Sequence, residues 1–167
     1  MNDEVFPSDA LNRNDVRAEF RLGHRVDTED HVTLKYVYVQ PGPGAVTPAA
    51  GQVLYQSIEE RTYGGGTRVT YYPDDSITGT SMPVAGVTTC AVTEGNYTFM
   101  QTWALCMDVA LDPLRVNPVF TGEELVGSDQ ATACGHTERP DITGMSLGVT
   151  VADEEGDTVA VFMRLDR

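Results

Sequence analysis

From Val16 to Leu165 the chain is written in short runs that alternate side-chain character with a period of two, separated by glycine, proline, asparagine and aspartate. A strand turns successive side chains to opposite faces, so this period predicts β-structure and argues against a helix-built core. The clearest run is Val32 to Gln40, where Val32, Leu34, Tyr36 and Tyr38 alternate with Thr33, Lys35, Val37 and Val39. β-Branched and aromatic residues on both faces suit a central strand. Val16 to Leu22 alternates Val16, Ala18, Phe20 and Leu22 with Arg17, Glu19 and Arg21, and predicts a half-buried strand. Tyr97 to Trp103 and Leu105 to Leu111 are expected as two further strands. Thr158 to Leu165 pairs with Gly144 to Val151 in a terminal hairpin across the turn Glu154-Glu155-Gly156-Asp157.

Weaker signals fill the intervals. Pro41-Gly42-Pro43-Gly44 removes a ladder donor twice and forces a loop. Gly51 to Ser57 reads as a strand in preference to a helical turn over 49–60. Gly64-Gly65-Gly66 tolerates positive φ and joins Arg61-Thr62-Tyr63 to Thr67 to Tyr72, which predicts a protruding hairpin near 61–72. Strands are also expected in Pro83 to Val92, before a turn at Glu94-Gly95-Asn96, and in Gly122 to Gly127. Pro113 and Pro118 bracket Leu114-Arg115-Val116, and Ala131 to Arg139 is a loop or an edge strand. Residues 1–15 lack a period that buries one face and read as an extended N-terminal arm ahead of one β domain over 16–167. The expected fold is all-β, a single-domain β-sandwich or β-barrel; 167 residues suffice to bury one core without staples.

Composition narrows the function classes. The formal net charge is −14, from 25 acids against 11 bases, and Lys35 is the only lysine. Such a balance repels phosphate backbones and anionic lipids, so neither direct nucleic-acid reading nor membrane binding is expected. It suits solubility at high local concentration, and also docking against a basic surface. No apolar run approaches the roughly 20 residues of a membrane helix. The acidic start Met1-Asn2-Asp3-Glu4 is unlike a secretory signal, which implies a chain made and kept inside a cell. Cys90, Cys106 and Cys134 are odd in number and widely spaced, and read as small buried hydrophobes rather than a disulfide framework or a zinc site.

Four features invite a chemical reading. Cys134-Gly135-His136 places a thiol near an imidazole, with His24 and His31 elsewhere, but acidic surroundings disfavour the thiolate a nucleophile needs. Asp27, Glu29, Asp30 and His31 form one acidic loop and Asp153, Glu154, Glu155 and Asp157 another; neither has the ligand spacing of a calcium loop. The three glycines at 64–66 are not followed by the Lys-Ser/Thr and helix of a phosphate cradle. Tyr71, Tyr72, Tyr97 and Trp103 are able to stack on a sugar or a base, although aromatics at strand spacing more often fill a core. The sequon Asn96-Tyr97-Thr98 has no meaning without secretion. The reading is therefore of a non-enzyme with no catalytic, cofactor-binding or metal residues and no cofactor.

Several stretches carry a family resemblance: Phe20-Arg21-Leu22-Gly23-His24-Arg25-Val26, Lys35-Tyr36-Val37-Tyr38-Val39-Gln40 with its Gly/Ala-rich loop, Gly51-Gln52-Val53, Val84-Ala85-Gly86-Val87, Gly95-Asn96-Tyr97-Thr98-Phe99-Met100-Gln101, and Gly148 to Leu165. In this order they resemble small proteins from head-gene clusters of tailed double-stranded DNA bacteriophages, the capsid cement or decoration proteins. The stretches at 63–72 and 131–139 look like additions to that pattern. The resemblance implies a virion structural protein on the capsid exterior, made in the host bacterial cytoplasm. It also implies the major capsid protein as partner, a homo-oligomer, most often a trimer, and a role in stabilising the assembled head. The N-terminal arm is a candidate to order on docking. The competing readings are a tail or head-completion protein and, from another class, a small all-β carbohydrate-binding module.

Overall fold

The structure, a computed structural model, describes residues 11–57, 66–72, 83–115, 117–128, 135–136 and 146–165. Their regular secondary structure is nearly all β, with no α-helix among them. The strands are β1 (Arg25–Asp27), β2 (Thr33–Val39), β3 (Val53–Gln56), β4 (Arg68–Thr70) and β5 (Val84–Thr88). They are followed by β6 (Tyr97–Ala110), β7 (Glu124–Gly127), β8 (Gly135–His136), β9 (Ser146–Thr150) and β10 (Thr158–Arg164). The hydrogen-bonded order is β1-β2-β4-β3-β5-β6-β10-β9-β7-β8, and an added β2–β6 pairing closes β2, β4, β3, β5 and β6 into a five-stranded barrel. All its pairs are antiparallel except β2–β4. Closure removes the exposed edges that an open sheet of this size would offer.

Side chains sort into three apolar groups. Val37, Val39, Leu54, Val69, Ala85 and Met100 fill the barrel, joined by Tyr71 and Val92. On the outer face of β2 and β6, Leu34, Tyr36 and Phe99 pack with Leu11, Val26 and the partly buried Phe20 and Leu22. On the outer face of β3 and β5, Val53, Tyr55, Val84 and Val87 meet Leu125, Leu147, Val159, Val161 and Met163 from a second sheet. Val84 and Val87 share a face although three residues apart, because the β3–β5 register slips between Leu54 and Tyr55 and leaves Ala85 as the extra residue. The second sheet is built on the C-terminal half of β6, followed by β10, β9, β7 and β8.

Three sequence expectations are corrected. Val16 to Leu22 is not a strand: Val16 is 78% exposed, and the only bridge nearby joins Asp15 to Tyr97. The edges of β2 are already taken by β1, β4 and β6, so this segment crosses over the sheet face instead of pairing, and Phe20 and Leu22 reach down onto the apolar group there. The described part of the 61–72 hairpin does not protrude. Thr67 to Tyr72 contributes β4, which inserts between β2 and β3, and both Val69 and Tyr71 are fully buried. Residues 61–65 lie outside the described residues. Tyr97 to Trp103 and Leu105 to Leu111 are joined in one strand, β6, which bends where Ala104 takes φ 78°.

The side-chain amide of Gln101 stabilises that bend by donating to the carbonyls of Trp103 (3.2 Å) and Leu105 (3.0 Å). A left-handed alanine costs about 1–2 kcal/mol, and a β-branched residue is worse there. Ala104→Val is therefore expected to lower unfolding stability by about 1–2 kcal/mol in urea titration, while Ala104→Gly leaves it unchanged or higher.

Of the 1–15 arm, residues 1–10 lie outside the described residues, whereas 11–15 lie against the barrel. Leu11 is buried, and the Asp15 carboxylate accepts the Tyr36 hydroxyl at 2.7 Å and the Arg13 guanidinium at 2.8 Å. Burial, with the Asp15 carboxylate beside it, holds the Tyr36 phenol up at about 12. Val32 to Gln40, Gly51 to Ser57, Pro83 to Val92, Gly122 to Gly127 and the terminal hairpin contain β2, β3, β5, β7 and β9–β10 as expected. Gly135–His136 is the edge strand within 131–139.

Candidate interaction surfaces

The residues singled out for chemistry are dispersed. Cys134 lies outside the described residues; Gly135 and His136 pair with Gly127 and Val126. His24 stacks on Phe20 at 5.7 Å, and His31 occupies the turn of the β1–β2 hairpin with φ 60°. In that hairpin Asp27 accepts the Thr33 hydroxyl at 2.7 Å. Among the described residues no three His, Cys, Asp or Glu side chains converge as a metal site. Gly66, the described member of the glycine run, lies beside the Lys35 ammonium. Tyr71 is buried with its hydroxyl on the Val92 carbonyl (2.8 Å), Tyr72 lies over Gly42 and Gly44, and Tyr97 stacks on Tyr36. The Asn96 amide donates to Asn14 at 2.8 Å.

Cys90 and Cys106 are free thiols that are only partly buried, not buried as expected, and desolvation raises both above the usual thiol range, Cys106 to about 11. Raised thiols are weak nucleophiles at neutral pH. In a Cys134→Ser variant the two remaining thiols should react with a disulfide reagent at least ten-fold more slowly in native buffer than in denaturant. Equal rates would show that they are accessible.

A buried polar junction joins the barrel to the second sheet. Asp112 and Ser128 are buried; the Ser128 hydroxyl donates to one Asp112 oxygen and the Leu114 amide to the other, at 2.7 Å. Tyr55 donates its hydroxyl to the Ser128 carbonyl at 3.2 Å. Among the described residues these contacts end on backbone or on another member of the group, and they lock the turn.

The loop that follows, between β6 and β7, is held by charge. Arg115 donates to Glu154 (2.9 Å), to the Asp112 carbonyl (3.0 Å) and to the Gly156 carbonyl (2.7 Å). Glu154 also accepts the Val119 amide at 2.9 Å, and Asp153 accepts both the amide and the hydroxyl of Thr121. Thr150 donates to the Phe120 carbonyl at 2.6 Å. The acidic loop at 153–157 is thus used largely as a set of caps for its neighbour. From this fixed loop Leu114 and Phe120 project into solvent, 68% and 52% exposed.

The Arg115 guanidinium and the Val119 amide lower the Glu154 carboxyl below its ordinary value of 4.5, and the Thr121 amide lowers Asp153 below 3.8. A carboxyl depressed in the folded state contributes stability that is full above its unfolded value and fades as pH falls through the folded one. The urea midpoint should therefore decline below about pH 4.5, and Glu154→Gln should reduce the slope of that decline. An unchanged slope would mean that this pair is not coupled to folding.

The second open surface is the outer face of the second sheet. Leu105 pairs with Phe162, and Phe162 with Val149, forming an apolar row across three strands. Trp103 meets the Phe162 ring edge-on at 5.8 Å. The β6–β10 register slips opposite Ala160, so Cys106 and Val109 both point inward while Met107 and Asp108 both stay outside. Met107 is 62% and Leu105 43% exposed.

Charge is unevenly spread. Residues 1–68 hold seven bases and ten acids, net −3, whereas 69–167 hold four bases and fifteen acids, net −11. The negative charge thus belongs mainly to the half of the chain that carries both apolar surfaces. Sequence reasoning missed both surfaces. The available signal was Phe162, an aromatic at a position the alternation assigns to solvent. Comparison of the chain with protein-family models, curated proteins and solved structures finds no match.

Proposed function

We propose that this chain is a structural binding protein of a tailed-phage virion, a cement or decoration protein that docks on the outside of the assembled head and stabilises it. The capsid assignment is supported by the resemblance of the ordered stretches from Phe20 to Leu165. The mode of action is supported by the hydrogen-bonded loop that presents Leu114 and Phe120. Apolar side chains held in place by caps lose little entropy on docking, which is what a binding anchor requires. The surrounding acids, Glu123, Glu124, Asp153, Glu155 and Asp157, favour a shell surface with basic groups.

The partner on this reading is the major capsid protein. A sugar-binding role is less well supported, because Tyr71 is buried and Tyr97 is stacked within the fold. The test is to mix purified chain with assembled, undecorated capsids and measure occupancy. Stoichiometric binding is expected, with at least ten-fold weaker binding by Leu114→Ser/Phe120→Ser at an unchanged melting temperature. Absence of binding by the parent chain would overturn the proposal.

A further inference from the structure

We infer that the outer face of the second sheet is where two copies of this chain meet, face to face, independently of any shell. A sheet in an antiparallel protein is commonly apolar on the face it buries and polar on the face it leaves in water. Here the inner face is filled by Val109, Leu125, Leu147, Val159, Val161 and Met163, yet the outer face carries Leu105, Met107, Val149 and Phe162 as well. Among the described residues the sheet is apolar on both sides and covered on one.

The ends of the strip favour a second copy as the occupant. Arg164 stands at one end, opposite Trp103 in the β6–β10 ladder, and Asp108 stands in the bulge toward the other end. Both are exposed, and neither makes an ion pair among the described residues. One base and one acid at opposite ends of an apolar strip form a self-complementary pattern. A two-fold axis across the strands lays the Leu105–Phe162–Val149 row on its own copy and brings each Arg164 over the other copy's Asp108; it also sets the exposed Glu124, next in that row, facing its own copy, a repulsion that salt screens. A contact of one patch with itself closes after two copies, so a trimer needs a different surface.

Size and charge set the strength. Three strands about 4.8 Å apart and about five residues long, at roughly 3.3 Å each, outline on the order of 250 Å². A standard interface buries about 800 Å² per partner, so the contact is expected to be weak. The net charge of −14 on each copy opposes association, and salt relieves that opposition.

The experiment is sedimentation of the full chain, without capsids, from about 10 μM to about 1 mM. The parent chain should pass from one-copy to two-copy particles, more readily as salt is raised. Leu105→Asp and Met107→Asp alter exposed side chains and should weaken association at least ten-fold with unchanged melting temperatures. Arg164→Asp alone and Asp108→Arg alone should weaken it, and the double exchange should restore it. A parent chain still monomeric at the highest concentration, association unaffected by Leu105→Asp, or a double exchange no better than either single change would overturn the inference. Capsid occupancy by Leu105→Asp separates this surface from the docking loop, since loss of pairing leaves the loop intact.

Discussion

Gly51→Val should leave little folded protein at room temperature. Gly51 sits at φ +80°, where a side chain costs about 1–2 kcal/mol before any contact is considered. Its added Cβ would enter the carbonyl oxygen of Asp108, which is backbone and has no rotamer to yield. Moving the chain away breaks the bonds from the Gly51 amide to Thr88 and from the Ala110 amide to Gly51, both 2.8 Å. Those bonds fasten the loop before β3 to β5 on one side and to β6 on the other. The combined loss should exceed about 4 kcal/mol, a large share of the roughly 5–15 kcal/mol available to a domain. Circular dichroism at 25 °C checks it; a native spectrum with a melting temperature within a few degrees of the parent would contradict this account.

The second large effect is expected at Tyr55, whose ring fills the junction between barrel and second sheet. It packs in the apolar group with Val84, Leu125 and Leu147, and lies so close to Gly127 that no Cβ fits there. Tyr55→Ala opens a ring-sized cavity and removes the hydroxyl from the Ser128 carbonyl, for an expected loss of about 3–5 kcal/mol. Tyr55→Phe keeps the ring and loses only the polar contact, so it should cost about 1 kcal/mol. Urea titration of both variants separates packing from hydrogen bonding. Equal losses would place the effect in the polar junction rather than in the ring.

The strands that the sequence announces are those whose neighbours are local or whose pattern is long. β10 and β9 form a hairpin across a short turn, and β2 has seven residues that are all β-branched, aromatic or aliphatic except Lys35, so both are readable. Barrel closure is not readable, because it depends on the parallel pairing of Tyr38 and Val39 with Arg68 and Val69, about thirty residues along the chain. Val16 to Leu22 shows the limit of a period-two pattern: alternation marks a chain able to pair, but pairing also needs a free edge. The apolar strip was hidden for a different reason. The one-residue slip opposite Ala160 decides that Met107 faces solvent, and such a slip leaves no mark in composition or period. Leu114 and Phe120 lie in a stretch marked as irregular by Pro113 and Pro118, and whether a loop side chain is buried depends on caps drawn from thirty or more residues away.

β6 runs for fourteen residues and takes part in both sheets, its first half in the barrel wall and its second half beside β10. Neither sheet can lose its order without stripping the other of a neighbouring strand. Disorder that begins at either end of the molecule therefore has no internal boundary at which to stop, and the two sheets share one melting event rather than failing in turn.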